Sequence, residues 1–217
     1  TQEGGTAWCS SLLLGNNSGS GSRGLVYLKD GTLALVSAPA IGNGSGCTGC
    51  VYQTGGELLA SNGVNIGVIT NASGLYNHAG GSAWINGSMS LGLAAGASGL
   101  YHYESGNARI NGSVNLGYGA GGLGRMVIDG SGLFVRDNVI IGSGASSTGE
   151  LVIAGGSFVR PNTQDIGTGS NSLGRLCVTG GELSFSNEVH VGIAAGARGG
   201  VYLTNGVVAS YGNVHGY

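Results

Sequence analysis

Starting new rows at Leu25, Cys50, Leu75, Leu100, Arg125, Glu150, Arg175 and Gly200 brings the chain into register with itself at a spacing of 25 residues. No insertion is needed from Leu25 to Tyr217. Glycine columns carry the register. Gly49, Gly74, Gly99, Gly124, Gly149, Gly174 and Gly199 close the rows, and Gly42, Gly67, Gly92, Gly117, Gly142, Gly167 and Gly192 form a second column. A third runs from Gly31 to Gly206 with Ser131 as its one exception. The residue before the second glycine is always aliphatic: Ile41, Ile66, Leu91, Leu116, Ile141, Ile166, Val191. A unit this short cannot bury an apolar face alone, so it must stack on its neighbours as a solenoid.

Each row reads as three short strands. In Arg175–Gly199, Leu176 and Val178 alternate before Gly180-Gly181, Leu183 and Phe185 before Ser186-Asn187, and Val189 and Val191 before a small-residue corner. Alternation bounded by Gly, Asn and Ser is the strand signature. Stacked rows pair each strand in parallel with its copy one row on, so three sheets wrap one core. The predicted fold is all-β: a right-handed, three-sided parallel β-helix of about 25 residues per coil, the hand following from the crossover rule. Six inward columns are predicted, headed by Val26, Leu28, Leu33, Leu35, Pro39 and Ile41. The chain forms one domain: residues 1–24 a degenerate first coil, 25–199 seven regular coils, 200–217 a partial terminal coil. At about 4.8 Å per coil the rod is roughly 40 Å long.

Glycine supplies 48 of 217 residues, yet it does not recur every third residue and there are only two prolines, which excludes collagen. The fixed aliphatic columns argue against disorder. Charged residues are 8% of the chain and the net charge is −2, which leaves no electrostatic footprint for nucleic acid. No apolar run approaches the roughly 18 residues of a membrane-spanning helix, so membrane insertion is not expected. A first residue other than methionine, the low charge and the abundant Ser, Thr, Asn and Gly predict a processed, secreted, surface-exposed product.

Rows such as Val191-Gly192-Ile193-Ala194-Ala195-Gly196-Ala197-Arg198-Gly199, followed by Gly200-Val201-Tyr202-Leu203-Thr204-Asn205-Gly206, carry a grammar of apolar-Gly, Gly-x-Gly and Gly-Gly corners. This resembles the autotransporter-associated β-strand repeat of bacterial surface proteins, over about 190 residues. The resemblance implies a secreted β-solenoid at a cell surface. It implies no activity, because the repeat is built from structural residues, and these residues contain no membrane β-barrel pattern.

Neither end carries a polar or helical cap, which soluble solenoids use. An uncapped coil is a template for another chain. Stacking head to tail is expected to continue the helix with only a corner missing, through Trp8, Leu12 and Leu14 at one end and Val201, Leu203, Val208, Val214, His215 and Tyr217 at the other. The expected function is therefore a structural subunit of an extracellular filament whose partner is itself. The alternatives are an adhesin-type surface fragment that binds cells or glycans, and a polysaccharide-active enzyme. The ten acids are scattered and no Ser/His/Asp constellation is visible, so no enzyme, cofactor or catalytic residue is expected.

Some positions carry chemistry of their own. Cys47-Thr48-Gly49-Cys50 predicts a disulfide across a tight corner. Cys9 and Cys177 lie several coils apart and cannot pair within one rod. Asn16, Asn43, Asn71, Asn86 and Asn111 open N-x-[ST] sequons and are candidate glycan attachment sites. Asp165, His190 and His215 share one outward column with Glu188 nearby; a solvated ladder is the expected reading and no metal site is expected, with a metal site or a pH-sensitive junction as the alternatives. Gln53, His78 and Tyr103 predict an internal hydrogen-bond ladder. Arg160-Pro161-Asn162-Thr163-Gln164-Asp165 breaks the row pattern, placing Arg160 and Gln164 on inward positions, as a bulge or a ligand site.

Overall fold

A computed structural model describes residues 1–17, 21–160, 162–185 and 187–217, the side chains at 159, 160 and 210 apart. It is a β-solenoid of parallel strands with no helix among the described residues. The third face of the coil shows the architecture plainly. Nine short strands stack from Leu13–Leu14 through Ala40–Ile41, Val64–Ile66, Met89–Leu91, Val114–Leu116, Val139–Ile141, Gln164–Ile166 and Val189–Val191 to Val214–Gly216. Val114 lies opposite Met89 on one side and Val139 on the other, the 25-residue register read from the sequence.

The first two faces depart from three separate strands per row. In the early rows they run as single strands, Arg23–Leu35, Thr48–Ala60 and Ser73–Ile85, bent at the glycine corner. A register shift at Thr54, opposite Gly80, carries the ladder round that bend. In later rows they separate, as in Leu123–Ile128 and Leu133–Val135. Among the described residues no ladder joins Leu133–Val135 to Ser157–Arg160, which starts a sheet of its own with Glu182–Phe185 and Val207–Ser210. A proline follows Arg160 in the sequence and brings no amide hydrogen to that position. Of the segment expected to bulge, Pro161 lies outside the described residues, and Arg160 is still paired opposite Phe185. Gln164, in the same segment, is buried as predicted and donates from Nε2 to the Val139 carbonyl at 2.6 Å.

The inward columns form one core along the rod. Val51, Tyr76, Tyr101, Met126, Leu151 and Leu176 stack in one column, and Val64, Met89, Val114, Val139 and Val189 in another. Burying each such side chain contributes about 1.5–3 kcal/mol. The polar column is woven into this core. Tyr76 donates to Gln53 Oε1 at 2.5 Å, Gln53 donates to the Ser82 carbonyl at 2.8 Å, and Tyr103 donates to the Gly106 and Ser131 carbonyls at 2.7 and 2.8 Å. His78 Nδ1 meets the Tyr101 hydroxyl at 3.2 Å, while its Nε2 has no well-formed hydrogen bond. The polar column is thus hydrogen-bonded to the tyrosine column and to backbone carbonyls rather than along itself, and one of its atoms lacks a well-formed bond, so the expected satisfied ladder is not what forms. Burial lowers the His78 pKa and raises those of Tyr76, Tyr101 and Tyr103.

The corners explain the glycines. At Gly92 φ is +67°, and a Cβ there would lie 2.4 Å from the Leu123 carbonyl oxygen of the next coil. A further corner position also takes positive φ: Gly46, Asn71, Gly96, Gly121, Ser146, Asn171 and Gly196. Asn and Ser stand in this column beside Gly, being short polar residues that tolerate the left-handed region.

The first coil is one residue short between Cys9 and Leu13, in the turn from the second face to the third, and keeps the predicted matches, with Leu14 opposite Ile41. Gln2, however, lies opposite Leu28, so the first coil has no counterpart of the first-face strand. Head-to-tail stacking of residues 1–217 therefore lacks the equivalents of residues 193–201, a corner and most of a strand, and not a corner alone.

Candidate functional site

Polar side chains capable of binding chemistry converge near the C-terminal end of the third face. Strands Gln164–Ile166, Val189–Val191 and Val214–Gly216 place Asp165, His190 and His215 opposite one another on consecutive coils. Their flanking residues point inward, so period-two alternation sends these three outward. Glu188, two residues before His190, stands on the same side. His190 Nδ1 lies 2.8 Å from Asp165 Oδ1 and its Nε2 lies 3.1 Å from Glu188 Oε2. His215 Nε2 lies 3.8 Å from Glu188 Oε1. The two imidazole centroids are 5.6 Å apart, and the Tyr217 ring sits 6.2 and 6.4 Å from them. The hydrogen bond to Asp165 raises the His190 pKa, reinforced by Glu188 and opposed by partial burial. One ligand atom from each of Glu188, His190 and His215 lies within 4.8 Å of the others.

The same end of the rod presents an open edge. Strands Arg198–Leu203, Val207–Ser210 and Val214–Gly216 are each paired on one side only. Val201, Leu203 and Val214 are 43%, 55% and 64% exposed, and Tyr217 is exposed beside them, while Val208 and His215 are half-buried. At the other end Trp8 is exposed, Leu12 is half-buried and Leu14 is buried against the coil above. Trp8 belongs less to the end surface than to an outward column on the second face. Ala34, Leu59, Trp84, Arg109 and Phe134 continue it in register, and the Arg109 guanidinium lies 5.0 Å from the Phe134 centroid. This column was legible from the 25-residue spacing. On the first face the outward Tyr27 and Tyr52 stack with centroids 5.4 Å apart.

The predicted Cys47–Cys50 disulfide is not formed: all four cysteines are free. Cys47 is fully buried inside the corner, with Sγ near the Asn17 carbonyl at 2.8 Å and Ser22 Oγ at 3.2 Å. Cys50 already belongs to the next strand and faces outward beside Leu25 and Leu75. The corner turns the two thiols away from each other. Cys9 is half-buried against the core and Cys177 half-buried on the outer face.

Four of the five sequon asparagines form cross-coil pairs. Asn43 Nδ2 donates to Asn16 Oδ1 at 2.6 Å, and Asn111 Nδ2 donates to Asn86 Oδ1 at 2.9 Å. Ser18, which completes the Asn16 sequon, lies outside the described residues. Asn71 holds a positive-φ corner with its side chain over Gly96, a structural assignment that the sequon pattern concealed. Compared with protein-family models, curated proteins and solved structures, the chain matches none.

Proposed function

We propose that this chain is a structural rod, a subunit of an extracellular surface filament that grows head to tail by stacking its terminal coils. The observation that supports this reading is the contrast between the last two coils. Leu176, Val178 and Val189 are 0%, 0% and 3% exposed, whereas their column partners Val201, Leu203 and Val214 are 43%, 55% and 64% exposed. Within residues 1–217 the last coil repeats the core pattern with its side chains exposed. On the second and third faces a second copy supplies a covering layer: its Ala7 falls in the column of Val208 and its Leu14 in the column of Gly216, while Val201 lies on the first face, where the copy brings no strand. Two of the three faces pair across such a junction. The contact joins unlike surfaces and does not close, so it propagates. The low charge and the resemblance to surface repeats support an extracellular location, where the exposed Asn86 is a glycan acceptor. Replacing Val208 and Val214 by lysine tests the reading. Concentration-dependent light scattering is expected to vanish while circular dichroism stays that of the parent rod; unchanged scattering in the variant would overturn it.

A second reading, a glycan-binding surface of adhesin type, is favoured by the outward column of Trp8, Trp84 and Phe134, 76%, 40% and 38% exposed. Aromatic faces with an adjacent guanidinium suit sugar rings. Loss of glycan binding in Trp84→Ala, with filament growth retained, would assign this surface its own role.

A further inference from the structure

We propose that Glu188, His190 and His215 form a binding site for a divalent first-row transition metal ion of the zinc class. The ligand set decides the class. Two imidazoles and one carboxylate suit zinc and its neighbours, whereas calcium and magnesium demand oxygen ligands. The ligand atoms lie within 4.8 Å of one another, so small side-chain rotations bring them onto one ion. The parallel ladder supplies the geometry: His190 and His215 are direct register partners, and Glu188 reaches both, at 3.1 and 3.8 Å.

Asp165 is the second, independent sign. Its carboxylate accepts from His190 Nδ1 at 2.8 Å, which fixes the imidazole tautomer and leaves Nε2 to face Glu188. A carboxylate behind a histidine is the arrangement that orients metal-binding imidazoles and raises their basicity. Three protein ligands leave a fourth position for water or another donor. All three side chains are partly exposed, at 23%, 41% and 43%, so an ion has access. The site is complete within one chain.

The test is calorimetric titration of untagged, reduced, monomeric full-length chain with zinc chloride, with cobalt(II) absorption as a spectroscopic check. One ion per chain is expected, with cobalt bands of a low-coordinate nitrogen–oxygen site. His190→Ala and His215→Ala are expected to abolish it. Asp165→Asn is expected to weaken it about 10- to 100-fold at unchanged stoichiometry. His102→Ala removes the other histidine–carboxylate cluster, in which His102 Nε2 lies 2.6 Å from Asp129 Oδ2, and is expected to leave binding intact. Should a variant misfold, diethyl pyrocarbonate footprinting of the parent chain decides: zinc is expected to shield His190 and His215 and leave His102 reactive. Absence of saturable uptake, uptake retained in the His190→Ala/His215→Ala double variant, or no shielding would overturn the site.

Discussion

Two glycine-to-alanine substitutions separate the two reasons a corner needs glycine. Gly92 and Gly121 both take positive φ, +67° and +68°. At Gly121 the nearest atom to an added Cβ is Ala95 Cα at 3.8 Å, an ordinary contact. Gly121→Ala therefore meets only the left-handed backbone, which costs an L-residue about 1–2 kcal/mol. At Gly92 the added Cβ would lie 2.4 Å from the Leu123 carbonyl oxygen, 2.6 Å from its carbon and 2.7 Å from its nitrogen. These are backbone atoms of the next coil and have no rotamer to move to. Overpacking of this kind adds about 1–3 kcal/mol, giving a total of about 2–5 kcal/mol for Gly92→Ala. The restriction of the unfolded chain by alanine is common to both variants and cancels in the comparison. Urea unfolding followed by circular dichroism measures the difference, provided the m-value is unchanged. Amide exchange at Gly117, which donates to the Leu91 carbonyl across this interface, localises it. Equal losses in the two variants, or a larger loss at Gly121, would falsify the role assigned to the close approach of coils.

Acidification is expected to weaken the rod through His78. Its folded pKa lies below the ordinary value of 6.5, so its contribution is present above that value and is lost as pH falls through it and the unfolded chain takes up a proton. His78→Gln, which copies Gln53 in the same column, is expected to flatten the stability profile between about pH 7 and 5; an unchanged slope in urea titrations would contradict this. Tyr76→Phe leaves Gln53 Oε1 without its donor in the core, and a loss of about 1–3 kcal/mol in chemical unfolding is expected. Alkylation of the denatured chain without reductant is expected to label Cys47 and Cys50 separately, with Cys47 protected in the native rod; a linked pair recovered by peptide mapping would contradict the free thiols.

The coil period, the three faces and the inward columns were legible in the sequence because glycine and aliphatic residues repeat without a gap. The same reading placed Asp165, His190 and His215 in one column, since register alone determines it. What each histidine nitrogen touches depends on side-chain rotation, which a spacing does not encode. The corner column through Asn71, Ser146 and Asn171 escaped notice because three residue types share one backbone conformation. The Cys47–Cys50 pairing failed for a related reason: a spacing of three suggests proximity, but the corner ends between the two residues and reverses their faces. The end-to-end match was overestimated because Gly4-Gly5 fixes the register of the second face and says nothing about the missing first strand.

Electron microscopy of the purified chain across a concentration series puts the filament proposal to the test. Nine stacked layers on the third face, at about 4.8 Å each, set a subunit repeat of about 43 Å along the axis. Thin unbranched filaments with that repeat, lengthening with concentration, are the expected result. Short rods of one subunit at every concentration would contradict head-to-tail stacking and leave the aromatic column as the surface to pursue.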